Sequence, residues 1–178
     1  MVAKAAGEVE VRRSEASPVR LTLQRRDMLS MAIKLSTEPV AVEGLLYEVK
    51  VDENCTLCEV CAAKCPTGAL SMKSGRGLRQ LVFRQDLCIG CGFCLQACPE
   101  SAMSISTAQI DPSEEISTPK TLRSDELARC IECGAPLGPK SLIEVVYRRL
   151  TEKGMDRAAE AVLLCQDCRA RKMLEGLA

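Results

Sequence analysis

Apolar positions along this chain follow two different spacings. Leu142, Val145, Val146 and Leu150 recur at three- and four-residue intervals, which puts them on one face of a helix. Ser141 precedes that stripe as its expected N-cap, Glu144 follows three residues on as the capping-box partner, and Gly154 marks the end. A second helix is expected from Asp156 through Ala161, Val162 and Leu163. Nearer the start, Leu29, Ala32, Ile33 and Leu35 predict a short amphipathic helix after Asp27 as N-cap. The stretch before it, to about Pro18, has mixed charge and weak periodicity and reads as poorly ordered. Between the helical regions lie short apolar runs of another kind. Glu38-Pro39-Val40-Ala41-Val42, Val49-Lys50-Val51 and Leu81-Val82-Phe83 read as extended.

The runs at 49 and 81 belong to an internal repeat. Each precedes a four-cysteine ladder: Cys55, Cys58, Cys61 and Cys65 before Pro66, then Cys88, Cys91, Cys94 and Cys98 before Pro99. Corresponding cysteines stand 33 residues apart, as Cys55 and Cys88 do. Matching tails follow, Thr67-Gly68-Ala69-Leu70-Ser71-Met72 and Glu100-Ser101-Ala102-Met103-Ser104-Ile105. Each half therefore reads strand, cysteine loop, short helix, strand, with a turn at residues 74–77 joining the halves. The expected fold class is α+β, a pseudo-twofold domain over residues 49–106. An N-terminal docking arm (1–48) precedes it. A polar linker (107–129) with Asp111-Pro112 and Thr118-Pro119 follows. A small helical module (130–178) closes the chain, carrying Cys130, Cys133, Cys165 and Cys168.

Composition narrows the chemistry. Hydrophobic residues make up 47% of the 178 residues, but aromatics only 2%, so the core is aliphatic and the fold is expected to lean on metal. With no histidine, haem, Rieske and zinc sites that use imidazole are excluded, as is the commonest general base. Zero net charge argues against a nucleic-acid binder with a basic surface. The chain lacks a long apolar run, a P-loop and a G-x-G-x-x-G motif. Arg25-Arg26-Asp27-Met28-Leu29 invites a twin-arginine export reading, but Lys34 and Glu38 interrupt the apolar core that export requires. Twelve cysteines could also form six disulfides, but nothing in a disulfide framework calls for two identical ladders.

Three cysteines at two-residue gaps wrap a chain around one [4Fe–4S] cubane, and the fourth belongs to the other cluster in two-cluster proteins. That assigns Cys55, Cys58, Cys61 and Cys98 to the first cluster, and Cys88, Cys91, Cys94 and Cys65 to the second. Zinc knuckles use pairs of C-x-x-C rather than runs of three with a remote fourth. The C-terminal cysteines do form two such pairs, which suits one tetrahedral ion: zinc first, a mononuclear iron second. Arg169, Arg171 and Lys172 beyond them read as charge complements of a helix C-terminus. Gly90 and Gly92 let backbone N–H groups approach the second cluster, whereas Glu59 adds negative charge at the first. The first cluster is accordingly expected to have the lower potential.

Residues 49–106 resemble the bacterial 2[4Fe–4S] ferredoxin family on these ladders. Cys130-Ile131-Glu132-Cys133-Gly134-Ala135-Pro136-Leu137 and Cys165-Gln166-Asp167-Cys168-Arg169-Ala170-Arg171 resemble the tail of a more specific type, and Glu38 to Val42 its approach to the first cluster. This is the two-cluster iron–sulfur subunit of formate hydrogenlyase-like, membrane-bound [NiFe] hydrogenases, related to a ferredoxin-like subunit of respiratory complex I. The resemblance implies a non-catalytic electron-transfer subunit of an oxidoreductase complex. It would be cytoplasmic, peripheral at the membrane through its redox partners, and would bind no nucleic acid. The Arg25–Leu29 segment is instead similar to cytoplasmic accessory ferredoxins of the periplasmic nitrate reductase type, which implies a maturation factor for a metalloenzyme. A regulatory zinc site with a redox sensor is a third reading.

Overall fold

The structure, a computed structural model, describes residues 46–108 and 116–175 together with Asp27, Met28, Met31, Ile33 and Leu35. The extended run at 38–42, the stretch up to Pro18 and the arginine pair at 25–26 lie outside the described residues. Both halves of the repeat take the expected order. The first comprises strand β1 (Tyr47–Val51), the first cysteine loop, helix α1 (Val60–Lys64) and strand β2 (Leu70–Gly75). The second comprises β3 (Leu78–Phe83), a 3-10 turn (Gln85–Leu87), the second cysteine loop, α2 (Phe93–Ala97) and β4 (Met103–Thr107).

The halves exchange strands through antiparallel pairing. β1 pairs with β4 from Tyr47–Thr107 to Val51–Met103, and β2 pairs with β3 from Leu70–Phe83 to Gly75–Leu78. The β2–β3 hairpin closes through Arg76 and Gly77, both with positive φ, the type I′ geometry that suits the twist of paired strands. Between these pairs lies one core. Val49, Leu57, Ala69, Leu70, Leu81, Phe83 and Ala102 are buried there together with Cys55, Cys61, Cys88 and Cys94. The few aliphatics thus share their interior with sulfur.

Part of the polar linker expected over 107–129 is a strand, while residues 109–115 lie outside the described residues. Residues 120–129 form the ten-residue strand β5 (Lys120–Arg129), hydrogen-bonded along β3. β6 (Pro136–Pro139) adds to its other side, so one antiparallel sheet runs β2-β3-β5-β6 from the repeat into the C-terminal cysteines. The sequence hides β5 because its alternation breaks at irregularities in register, beside Leu122–Arg123 and at Leu127–Arg129.

Helix α3 (Lys140–Glu152) packs on β5, its apolar stripe half-buried. Ser141 is not its N-cap. The helix begins one residue earlier behind Pro139, and the Ser141 N–H is capped from the sheet by Asp125 Oδ2 at 2.8 Å. Burial raises the pKa of Asp125, but the Ser141 and Glu126 N–H groups outweigh it and hold the carboxyl below the usual range. Gly154 ends the helix as expected, with φ +68° and Met155 N–H bonded to Leu150 C=O at 2.9 Å. Helix α4 (Asp156–Val162) follows, and α5 (Gln166–Glu175) starts just after Cys165. In the N-terminal segment Asp27 lies within the helix rather than capping it, and Ile33 packs on Leu46 and Ile116.

Candidate metal centres

The two cysteine loops share their left-handed positions and the angles at their helix ends. Left-handed φ occurs at Leu57, Glu59 and Gly68 in the first half, and at Gly90, Gly92 and Ser101 in the second, each pair 33 residues apart. Glu59 and Gly92 sit at the start of α1 and α2, and Cys65 and Cys98 end those helices in extended conformation with nearly equal angles. Left-handed backbone is unfavourable by about 1–3 kcal/mol for residues other than glycine. The first loop therefore reaches, with Leu57 and Glu59, a shape that the second reaches freely with two glycines. One ground for expecting a lower first potential disappears here, since the glycines do not give the second loop a different path.

Two cavities of nearly equal size, about 330 and 320 Å³ including space open to solvent, lie against these loops. Cys55, Cys58, Cys61 and Cys98 line the first. Cys65, Cys88, Cys91 and Cys94 line the second. The fourth cysteine of each ladder thus faces the cavity of the other. For Cys55 and Cys94 electrostatics follows the same division. Burial raises the pKa of Cys55, with the charges of Cys98 and Cys58 adding to it. Burial also raises that of Cys94, with Cys88 and Cys65 adding. Cys61 is pushed up to about 12 by burial and then by Cys55. Thiols crowded this way stay neutral unless a cationic centre holds them as thiolates, which is what iron would supply. Cys65 behaves differently. Burial raises it, yet N–H groups of Leu70, Thr67 and Ala69 and the Thr67 hydroxyl outweigh burial and lower its pKa. Its counterpart Cys98 accepts from Ala102 N–H at 3.4 Å.

Charge around the first cavity is balanced. Glu59 pairs with Arg79 of β3, and Glu100 with Arg149 of α3 at 2.6 Å. The second ground for a low first potential, an unopposed Glu59, is removed by that pairing. Arg123 of β5 reaches the first loop at Glu53 C=O, 3.2 Å, and its charge eases the Cys55 thiol downwards. Sequence reasoning missed Thr56 on this wall. It is 2% exposed, and Oγ1 has no hydrogen-bond partner among the described residues. A buried hydroxyl leaves no trace in ligand spacing.

The remaining cysteines meet elsewhere. The sulfurs of Cys130, Cys133, Cys165 and Cys168 all lie within 4.8 Å of one another, with Cys133 and Cys165 3.6 Å apart. Four sulfurs at about 2.3 Å from one tetrahedral ion stand about 3.8 Å apart, so the set fits such an ion. Cys165 N–H donates to Cys130 Sγ at 3.3 Å and, chief among several amides, brings that thiol down to about 6. Hydrogen bonding to Cys165, then burial, pushes Cys168 up to about 12. The site is braced from both sides. Lys172 of α5 pairs with Glu132 at 2.8 Å, and Arg169 donates to Ala161 and Leu164 carbonyls at the end of α4, the helix-terminal role expected of it.

A family model described as a 4Fe-4S dicluster domain matches residues 54–102 and again 87–137. The first match contains both ladders. The second joins the Cys88 ladder to Cys130 and Cys133, although the structure groups those two with Cys165 and Cys168. No curated protein matches the chain. The matched region supports a ferredoxin-type 4Fe-4S family and, with it, an iron–sulfur electron-transfer role. Among the described residues, no helix is long and apolar enough to cross a membrane.

Proposed function

We propose, on the premise of a ferredoxin-type 4Fe-4S dicluster segment, that this chain relays single electrons as a subunit of a larger oxidoreductase complex. The observation that carries the reading is the division of eight cysteines, three from one ladder and one from the other, between two cavities of equal size. Cys55, Cys58, Cys61 and Cys98 would hold one [4Fe–4S] cluster, and Cys88, Cys91, Cys94 and Cys65 the other. When bound, such clusters supply one-electron redox chemistry at potentials set by charge, hydrogen bonds and exposure. The protein's own part is to bind, to exclude water and to tie its halves into a pseudo-twofold unit. Cys91 is exposed, with Ile89 and Phe93 around it, so the second site is the one nearer a docked partner. Cys130, Cys133, Cys165 and Cys168 would hold zinc, a closed structural site with no open position for chemistry. The partners would be redox subunits of the [NiFe] hydrogenase type named by the resemblance, on the cytoplasmic side.

Anaerobic purification should yield about eight cluster irons with matching labile sulfide, plus one further metal ion. Protein free of labile sulfide sinks the reading. Ligand exchange has its own test. Cys98→Ser should alter the electron paramagnetic resonance signal of the cluster in the Cys55 cavity and leave that of the Cys88 cavity as in wild type. The reverse pattern would assign each ladder to its own cluster. Co-purification of a stoichiometric redox partner checks the subunit role.

A further inference from the structure

Thr56 stands between two ligand positions, Cys55 and Cys58, on the wall of the first cavity. Its side chain is shut off from solvent, and its hydroxyl finds no acceptor among the described residues. A buried hydroxyl left without a partner is strongly disfavoured, so native proteins give it one. The two carboxylates on the same wall are already paired with arginines, Glu59 with Arg79 and Glu100 with Arg149. What remains beside Thr56 is the cavity, with the sulfurs of Cys55, Cys58, Cys61 and Cys98 around it. Sulfur in an anionic iron–sulfur centre is a charged acceptor, and a hydroxyl next to one donates to it.

We propose that the Thr56 hydroxyl donates a hydrogen bond to a sulfur of the first cluster and thereby raises that cluster's reduction potential. The proposal rests on the two-cluster reading above. Its sign follows from charge. Reduction adds an electron, the sulfurs become better acceptors, and the hydrogen bond stabilises the reduced form more than the oxidised one. The second half carries the control. Ile89 holds the corresponding place, 33 residues on, with no hydroxyl and with 44% of its surface exposed. The two loops share their left-handed positions, and this side chain is a place where they differ.

The experiment is a stepwise reductive titration of the full-length holoprotein under argon, followed by electron paramagnetic resonance, with iron and labile sulfide measured on each sample. Thr56→Val removes the hydroxyl at nearly constant shape. A hydrogen bond that favours the reduced cluster over the oxidised one by about tenfold shifts a one-electron couple by about 59 mV. The first cluster of Thr56→Val should titrate lower by about that much, the second should not move, and Thr56→Ser should titrate as wild type. If branched Val hinders assembly, Thr56→Ala, which only removes atoms, should show the same lowering. Variants with wild-type iron and sulfide but an unmoved first potential overturn the Thr56 assignment alone. A lowering shared by Thr56→Ser, or by both clusters, overturns it too. Wild-type protein without labile sulfide would instead fail the underlying reading.

Discussion

Gly90 has two reasons to be glycine, and Gly92 only one. Both have left-handed φ, +67° and +74°, but a Cβ on Gly90 would enter the ring of Tyr47, whereas one on Gly92 meets nothing within 4 Å. Gly92→Ala should therefore lose only the backbone preference, about 1 kcal/mol. Gly90→Ala adds overpacking and should lose about 3 kcal/mol. Heating the holoprotein while following visible cluster absorption ranks them, and equal midpoints would dismiss the Tyr47 contact. Glu59→Gly runs the other way. It relieves a left-handed residue at the matching place in the first loop, a gain of about 1 kcal/mol or more. The half-exposed pair with Arg79 returns less than that. The grouping of the cysteines was legible because each ladder and each C-x-x-C pair is local in sequence, while the repeat and the second pair point to the more distant members. Thr56, Arg123 and Arg149 were not. Each matters through what distant strands and helices bring beside it.

At the scale of elements, the repeat was legible because each half carries its own strand runs, ladder and tail. The capping of α3 was not. Ser141 and Glu144 spell a capping box, yet the cap comes from Asp125, sixteen positions earlier on β5. A strand whose alternation breaks at irregular pairing does not announce itself, so neither did the carboxylate it delivers to the helix end. Asp125→Ala should cost about 1 kcal/mol at neutral pH, with faster hydrogen exchange confined to the first turn of α3. Loss of nothing there would return the capping role to Ser141. The pH dependence follows from the lowered pKa of Asp125. Its contribution is whole above the ordinary carboxylate value, about 3.9, and fades as pH falls through the depressed value in the folded protein. A neutral-pH comparison therefore reads the full effect, and Asp125→Asn should keep part of it by accepting the same N–H.

Across the whole molecule, the sheet β2-β3-β5-β6 leaves no free joint between the ladders and the C-terminal cysteines among the described residues. Arg123 and Arg149 reach from β5 and α3 back to the first cavity region, to Glu53 C=O and to Glu100. Neither cavity takes a lining residue from β5 or α3, but Glu100 of the first lining is held by Arg149. Residues of the second lining come from β1, the segment 65–69 after α1, β2, β3, the second loop, α2 and β4, all within the repeat. Truncation after Pro119 is thus expected to act unequally. It strips β5 from β3, exposes that strand's hydrogen-bonding edge to solvent and aggregation, and leaves the carboxylate of Glu100 without its guanidinium. Reconstituted under argon, the shortened chain should first lose the cluster proposed for the cavity of Cys55, Cys58, Cys61 and Cys98, so that iron falls toward half of the full-length value. The surviving signal should be that of the Cys88 cavity. Retention of both clusters with full-length thermal midpoints would mean that the repeat is a free-standing unit and the extension merely an appendage. Preferential loss of the Cys88 cluster would mean that the sheet protects the opposite end from the one its contacts touch.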